Sequence, residues 1–311
     1  MNLKSKFIRS FLILGLGTTI CLGAIDGKHV VSMPKQADSN DTISLQQGIN
    51  RGDPTINKTE NKLEDFNLTP SESAYLYMNG KSSTVHSHRI KSASMIKVFI
   101  LSYLFEKVDK GELSLQDIYV LKPSDKVGGS GVLYGYESGS ILTIDTLARL
   151  MIAESDNTAT NILIDKLGLE NINSYLLNQG YMDTQLNRKM MDLIAIDKGI
   201  ENYTSAKDLG NWFLKLAKGE LASDLANKKM IHYLLEQTDT ECISLALPNR
   251  VIAHKTGELA SVYHDGGIIY NGNKSDYYIL VLLSDGCDSR AETIKHFQSI
   301  AKEVDHKVNL K

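Results

Sequence analysis

Residues 92–100 read SASMIKVFI, which sets Ser94 and Lys97 three apart at the start of an apolar run. On a helix that spacing stacks the two side chains on one face, with the ammonium able to reach the hydroxyl oxygen. A serine held that way can be made nucleophilic. The ordinary reading is an N-cap serine followed by a solvated lysine. The tetrapeptide pattern is also not rare in this chain. It recurs as SMPK at Ser32–Lys35, where Pro34 opposes a helix, and as SIAK at Ser299–Lys302 in an amphipathic C-terminal pattern. The dyad therefore needs the rest of the chain to single it out.

The elements that would position it are legible in outline. With 311 residues and 42% hydrophobic composition, the chain can bury a full core. Its net charge of −3 includes Lys4, Lys6 and Arg9 near the start, and no basic patch points to nucleic acid. Those bases, the apolar stretch Phe11–Ala24 and the polar sequence beyond have the three-part form of an export signal over residues 1–24. A secreted or extracytoplasmic protein beginning near Ile25 is expected, with an uncleaved membrane anchor as the alternative. Cys21 follows Ile20 rather than a small residue, which argues against a lipid anchor. Residues 25–62 are polar and aperiodic and read as a linker; Arg51-Gly52-Asp53 within it reads as a chance match. After the signal only Cys242 and Cys287 remain, which read as two small hydrophobes at least as readily as a disulfide. No Cys/His cluster has zinc spacing, so no metal and no cofactor are expected.

From residue 63 onward the periodicity changes twice. SAYLYMN, closed by Asn79-Gly80, reads as a strand entering a hairpin, with a second strand near Ser83–His88. Helical spacing follows from Ile96 to Lys110-Gly111 and returns in LTIDTLARLMIAE, NTATNILIDKL, SAKDLGNWFLKLAKG and DLANKKMIHYLLEQ. VIAHKTG, GGIIYNG and DYYILVLLSD then read as strands, before a helix over about Ser289–Glu303. Strands at both ends with helices between them predict a sheet lobe built from both termini and an inserted helical lobe. A pocket is expected where the lobes meet.

Two further clusters raise the dyad above its decoys. Ser155-Asp156-Asn157 lies 61 residues after Ser94, and Lys255-Thr256-Gly257 lies 100 residues beyond Ser155, at the end of a strand. Each alone is ordinary: the first is a good capping cluster, the second a strand-to-turn signal. Together, in this order, they are the S-x-x-K, S-D-N and K-T-G set of class A β-lactamases and penicillin-binding proteins. From about Leu63 onward, including VGGSGVL at Val127–Leu133 and MIAESDNTATN, the chain resembles the class A β-lactamase family or its penicillin-recognising serine hydrolase relatives. The resemblance implies an α+β fold, an antiparallel sheet flanked by helices beside an all-helical lobe. It also implies a monomer acting on a small β-lactam or a peptidoglycan-like peptide.

The implied roles follow residue by residue. Ser94 would attack the carbonyl and carry the acyl group, and Lys97, with its pKa lowered by burial and nearby cations, would take the proton. Ser155 would pass a proton to the leaving nitrogen, and Asn157 would bind the substrate's side-chain amide. Lys255 and Thr256 would receive the carboxylate, with Gly257 allowing close approach. The backbone N–H groups of Ser94 and Glu258 would form the oxyanion hole. The pattern breaks in TQLNRKMMDL, where Arg188 fits but the family's water-activating glutamate is Met190, whose thioether cannot accept a proton at neutral pH. Asp192 is the remaining candidate base there, against a structural partnership with Arg188 on the same loop. The carboxylate-binding arginine usual beyond the K-T-G strand is also not evident, since His264 and Asp265 stand there. Three functions remain open: a β-lactamase, a penicillin-binding or D,D-peptidase-like enzyme that deacylates slowly, and a non-catalytic binding or sensing domain.

Overall fold

The computed structural model describes residues 63–272 and 275–309. The export-signal and linker readings, the SMPK decoy and the Arg-Gly-Asp match lie outside the described residues. Among the described residues nine strands run in chain order: β1 Glu72–Met78, β2 Lys81–Val85, β3 Ile90–Lys91, β4 Ile118–Val120, β5 Ile141–Thr143, β6 Tyr203–Thr204, β7 Val251–Leu259, β8 Val262–Tyr270 and β9 Tyr277–Asp285. The α-helices of the described residues are α1 Ile96–Asp109, α2 Ile144–Ala153, α3 Asn157–Leu167, α4 Leu169–Asn178, α5 Leu193–Asp197, α6 Ala206–Ala217, α7 Asp224–Leu235, α8 Ile243–Ala246 and α9 Arg290–Asn309.

The main sheet is antiparallel in the order β2-β1-β9-β8-β7, so its strands come from both ends of the described chain with the helical segments between. The predicted α+β class and lobe organisation hold. Asn79 and Gly80 both adopt positive φ, 53° and 77°, and close the tight hairpin whose last register pair is Met78↔Lys81. Strand β9 explains the layering by alternation: Ile279, Val281 and Leu283 enter the core shared with the helical lobe, while Leu280 and Leu282 enter a second core on the other face with Phe297 and Ile300 of α9. Each of these β9 side chains is fully buried, which contributes on the order of 1.5–3 kcal/mol apiece. Helix α6 lies directly on β1 because Gly210 has no side chain; a Cβ there would fall 2.1 Å from the Tyr75 ring.

Helix starts follow their caps. Thr143, Asp156, Ser205 and Ser223 each accept a hydrogen bond from the backbone N–H three residues on, opening α2, α3, α6 and α7. Two helices differ from the sequence reading. Helix α4, absent from the sequence reading, begins immediately after α3 at Gly168, whose φ of 83° turns the chain sharply between them. Helix α9 runs six residues beyond the expected end, because Val304 extends the buried spacing of Phe297, Ile300 and Ala301. Cys242 and Cys287 are both free thiols.

Candidate active site

Ser94 is not a helix cap. It sits in a 3-10 turn, Ala93–Met95, ahead of α1, and neither end of that turn carries a side-chain cap bond. Ala93 has φ 44°, a left-handed conformation rare for a side chain with a Cβ and a form of strain found at functional sites. The K-T-G end of β7 presses on this turn. A Cβ on Gly257 would lie 3.2 Å from Ser94 N, Ala93 Cβ and Met95 Cγ, so glycine is what allows the strand so near. β7 is also the outer strand of the sheet. Its free edge can therefore offer backbone donors that no neighbouring strand takes.

Ser155 lies between α2 and α3, also left-handed at φ 51°. Asp156 does two jobs here. One oxygen accepts the Ala159 N–H at 2.8 Å and caps α3; the other accepts Val132 N–H at 2.7 Å and Leu133 N–H at 2.8 Å. The glycines of VGGSGVL let that loop lie flat on the cluster: a Cβ at Gly131 would meet Asp156 Cγ at 2.3 Å, and one at Gly129 would meet Asn157 Nδ2 at 2.6 Å. Asn157 completes the clamp, donating its backbone N–H to Ser130 O at 3.1 Å and Nδ2 to Gly128 O at 3.1 Å.

Both motif lysines are fully buried and converge on Ser155. Lys97 Nζ donates to Ser155 O at 2.6 Å, Asn157 Oδ1 at 2.8 Å and Ser155 Oγ at 3.1 Å. Lys255 Nζ donates to the same Oγ at 3.1 Å and to Thr256 O at 2.7 Å. With Ser155 Oγ accepting twice, its own proton is free to be given away. Burial drives the Lys97 pKa well down, the charge of Lys255 lowers it further, and Asp156 opposes both. Burial also pushes Lys255 down to about 8, against the pull of Asp239 and Asp265. The direct ammonium-to-Ser94 contact expected from the i, i+3 spacing is not made: all three Lys97 donors go to Ser155 and Asn157. The lysine's reach is redirected to two carbonyl oxygens, Ser155 O and Asn157 Oδ1, which are stronger acceptors than a hydroxyl, and to the neighbouring Ser155 Oγ.

Ser94 opens on a cleft of about 160 Å³, with Met190, Met191, Ile196 and Leu259 on apolar walls and Ser130, Asn157, Arg188, Glu201 and Glu258 among its polar lining. Met190 is fixed there through its backbone, with Met190 N–H donating to Asn161 Oδ1 at 2.8 Å and Asn161 Nδ2 donating to Met190 O at 3.0 Å. The partner of Arg188 is not Asp192. Arg188 Nη2 donates to Glu201 Oε2 at 2.6 Å, and Asn202 closes the loop base by accepting the N–H groups of Asn187 and Arg188. Asp192 instead caps α5, accepting Ala195 N–H at 3.0 Å, and lines a different cleft with Asp165 and Lys189. The loop closes beyond α5, one helix further on than a partnership with Asp192 would place it.

His264 and Asp265, which stand where an arginine was sought, are fully buried and unavailable to a ligand. Burial takes the His264 pKa down to about 4, leaving a neutral ring. A guanidinium does reach this strand end, from the start of α9: Arg290 Nε donates to Glu258 Oε1 at 2.9 Å, and the group lies 5.2 Å over the Tyr263 ring. Ser130, Glu201 and Arg290 were thus missed. Only Ser130 had a nearby signal, its flanking glycines.

Two buried lysines converging on Ser155 between an antiparallel sheet and a helical lobe define a class, and sequence similarity gives the family. Residues 74–307 match the beta-lactamase enzyme family, and the chain belongs to it. It is 30% identical over 228 residues to beta-lactamase BRO-1 of Moraxella catarrhalis, covering 68% of this chain and 70% of that one. Among solved structures it resembles a beta-lactamase from Sphaerobacter thermophilus, with TM-score 0.72, 28% identity and coverage of 77% and 92% of the two chains. It resembles PBP-A equally well, with TM-score 0.72, 25% identity and coverage of 80% and 94%. A penicillin G acyl-enzyme of a PBP-A variant matches with TM-score 0.71 and 26% identity, over 77% of this chain and 90% of that one.

Proposed function

We propose that this protein is an exported serine hydrolase that opens β-lactams by forming an acyl-enzyme on Ser94 and releases that acyl group slowly. The observation that carries the slow release is Met190. Its backbone is held from both sides by Asn161, so at this position of the Ser94 cleft lining a thioether stands in place of a carboxylate. Acylation has what it requires: a hydroxyl in a strained turn, a buried lysine with a depressed pKa, and Ser155 bridging both lysines as a proton carrier. In this reading Ser94 Oγ attacks the lactam carbonyl, and its proton passes through Lys97 and Ser155 to the leaving nitrogen. The negative charge on oxygen falls to the backbone donors of Ser94 and Glu258. Lys255, Thr256 and Arg290 receive the carboxylate. The penicillin acyl-enzyme captured in a structural neighbour supports the acyl-enzyme step.

A second reading, full β-lactamase turnover, is favoured by Glu201, the carboxylate that shares the Ser94 cleft. The two separate in one experiment on mature protein with a chromogenic lactam. Slow release gives one equivalent of product in a burst, a stable acyl mass on the protein, and no change with Glu201→Gln. Steady turnover without a burst, lost in Glu201→Gln, would establish the second reading. Ser94→Ala abolishes the adduct in either case; an adduct that persists would remove Ser94 as nucleophile.

A further inference from the structure

On the face of β7 opposite Lys255, three side chains form another run of hydrogen bonds. His254 precedes Lys255, and alternation along the strand sends the two side chains to opposite faces. Lys255 reaches Ser155, whereas His254 Nε2 lies 3.0 Å from Ser244 Oγ in α8. His254 Nδ1 lies 2.8 Å from Asp265 Oδ1, and the second Asp265 oxygen accepts the Ile243 N–H at 2.9 Å. Gly267 makes room for this: it pairs with His254 in register, and a Cβ there would fall 2.6 Å from His254 Cβ. Asp265 is fully buried, His254 is 2% exposed, and Ser244 is partly exposed.

The chemistry of this arrangement follows from its donors. A carboxylate only accepts, so Asp265 holds the ring proton on Nδ1 and leaves Nε2 to accept from the Ser244 hydroxyl. That is nucleophile, base and orienting acid in the geometry by which a serine is activated, recognised by roles and not by chain order. We propose that Ser244, His254 and Asp265 form a second nucleophilic centre, separate from Ser94, that accepts acyl groups from small activated esters. Ser244 Oγ attacks the ester carbonyl while His254 Nε2 takes its proton. The C–O bond to the leaving group breaks, the imidazolium protonates the departing alcohol or phenol, and an acyl-serine remains. Water activated by the same imidazole then cleaves the acyl-serine, giving the acid and restoring the hydroxyl. Partial exposure of Ser244 limits the acyl group to a small one.

The test uses the full chain carrying Ser94→Ala, so that the first centre is silent, with diisopropyl fluorophosphate as the probe. Attack by Ser244 on phosphorus expels fluoride and leaves a stable phosphoryl-serine. The expected result is one adduct per chain, mapped to the peptide containing Ser244, absent in Ser94→Ala/Ser244→Ala and formed at least about 10²-fold more slowly with His254→Gln. Ser244→Ala alone keeps penicillin labelling at the parent rate, which also reports that it is folded. A Ser94→Ala chain that takes no label, or a label that persists after Ser244→Ala, overturns the proposal and leaves the three residues as a polar clamp on α8.

Discussion

Replacing Lys255 with methionine should move the pH dependence of Ser94 acylation upward. Lys97 acts as a base only when neutral, and the second cause of its depressed pKa, after burial, is the charge on Lys255. Each ammonium nitrogen is 3.1 Å from Ser155 Oγ, so the two are at most about 6 Å apart. At an effective dielectric near 20, unit charges at that separation repel by about 2.7 kcal/mol, equivalent to about two pH units. Lys255 keeps its own proton below about 8, so the repulsion acts throughout the acidic and neutral range. Without the neighbouring charge Lys97 holds its proton more tightly, so the neutral base appears only at higher pH, and the rising limb of the acylation rate moves up by about two pH units in Lys255→Met. The assay is the rate of acyl-enzyme formation at saturating lactam, followed by intact mass across the pH range, since saturation removes the loss of carboxylate binding. A uniform drop in rate with an unmoved limb would mean that Lys255 only binds substrate. A limb that moves down would refute the electrostatic reasoning itself.

Gly257→Ala should slow acylation about tenfold with little change in stability, because its Cβ would push the Ser94 turn by a few tenths of an ångström and nucleophile placement is sensitive at that scale; an unchanged rate would show that the turn yields freely. Arg188→Ala should cost about 3–5 kcal/mol in urea unfolding, since it leaves Glu201 with a largely buried, unpaired charge; a loss below about 1 kcal/mol would mean that water replaces the guanidinium. Asp192→Asn should leave both stability and acyl-enzyme lifetime within error, because asparagine caps a helix as well as aspartate does and Asp192 lies on another cleft; a longer lifetime would make Asp192 the water-activating base.

What the sequence disclosed was local or repetitive. The hairpin was legible because Asn79-Gly80 carries the backbone demand of its turn, and the start of α3 because Asp156 is both a capping type and the residue before an apolar run. Strands β7 and β9 and the second half of β8 were legible because they carry apolar, β-branched or aromatic runs; β8 begins four residues earlier than read, at Val262, where the buried His264 and Asp265 broke the apolar run. What stayed hidden depended on contacts between distant residues. No local rule distinguishes Glu201 from Asp192 as the partner of Arg188; the choice is made by Asn202, which folds the loop base back on Asn187 and Arg188. Arg290 reaches the K-T-G strand from the C-terminal helix, so its approach to Glu258 exists only in the folded molecule. The Lys97 position erred for a related reason: helical spacing gives the direction of a side chain, but Ser155 and Asn157, some 60 residues away, decide where its ammonium ends.

Slow release of the acyl group depends on Met190, and the lifetime of the penicillin G acyl-enzyme measures it most directly. Intact mass after removal of free drug should show the parent protein holding its acyl group over many times the interval needed to form it. Met190→Glu should shorten that lifetime, because the backbone bonds to Asn161 would hold a carboxylate in the Ser94 cleft where it can activate water. An acyl group that leaves the parent as fast as it forms, with Met190→Glu making no difference, would contradict the account.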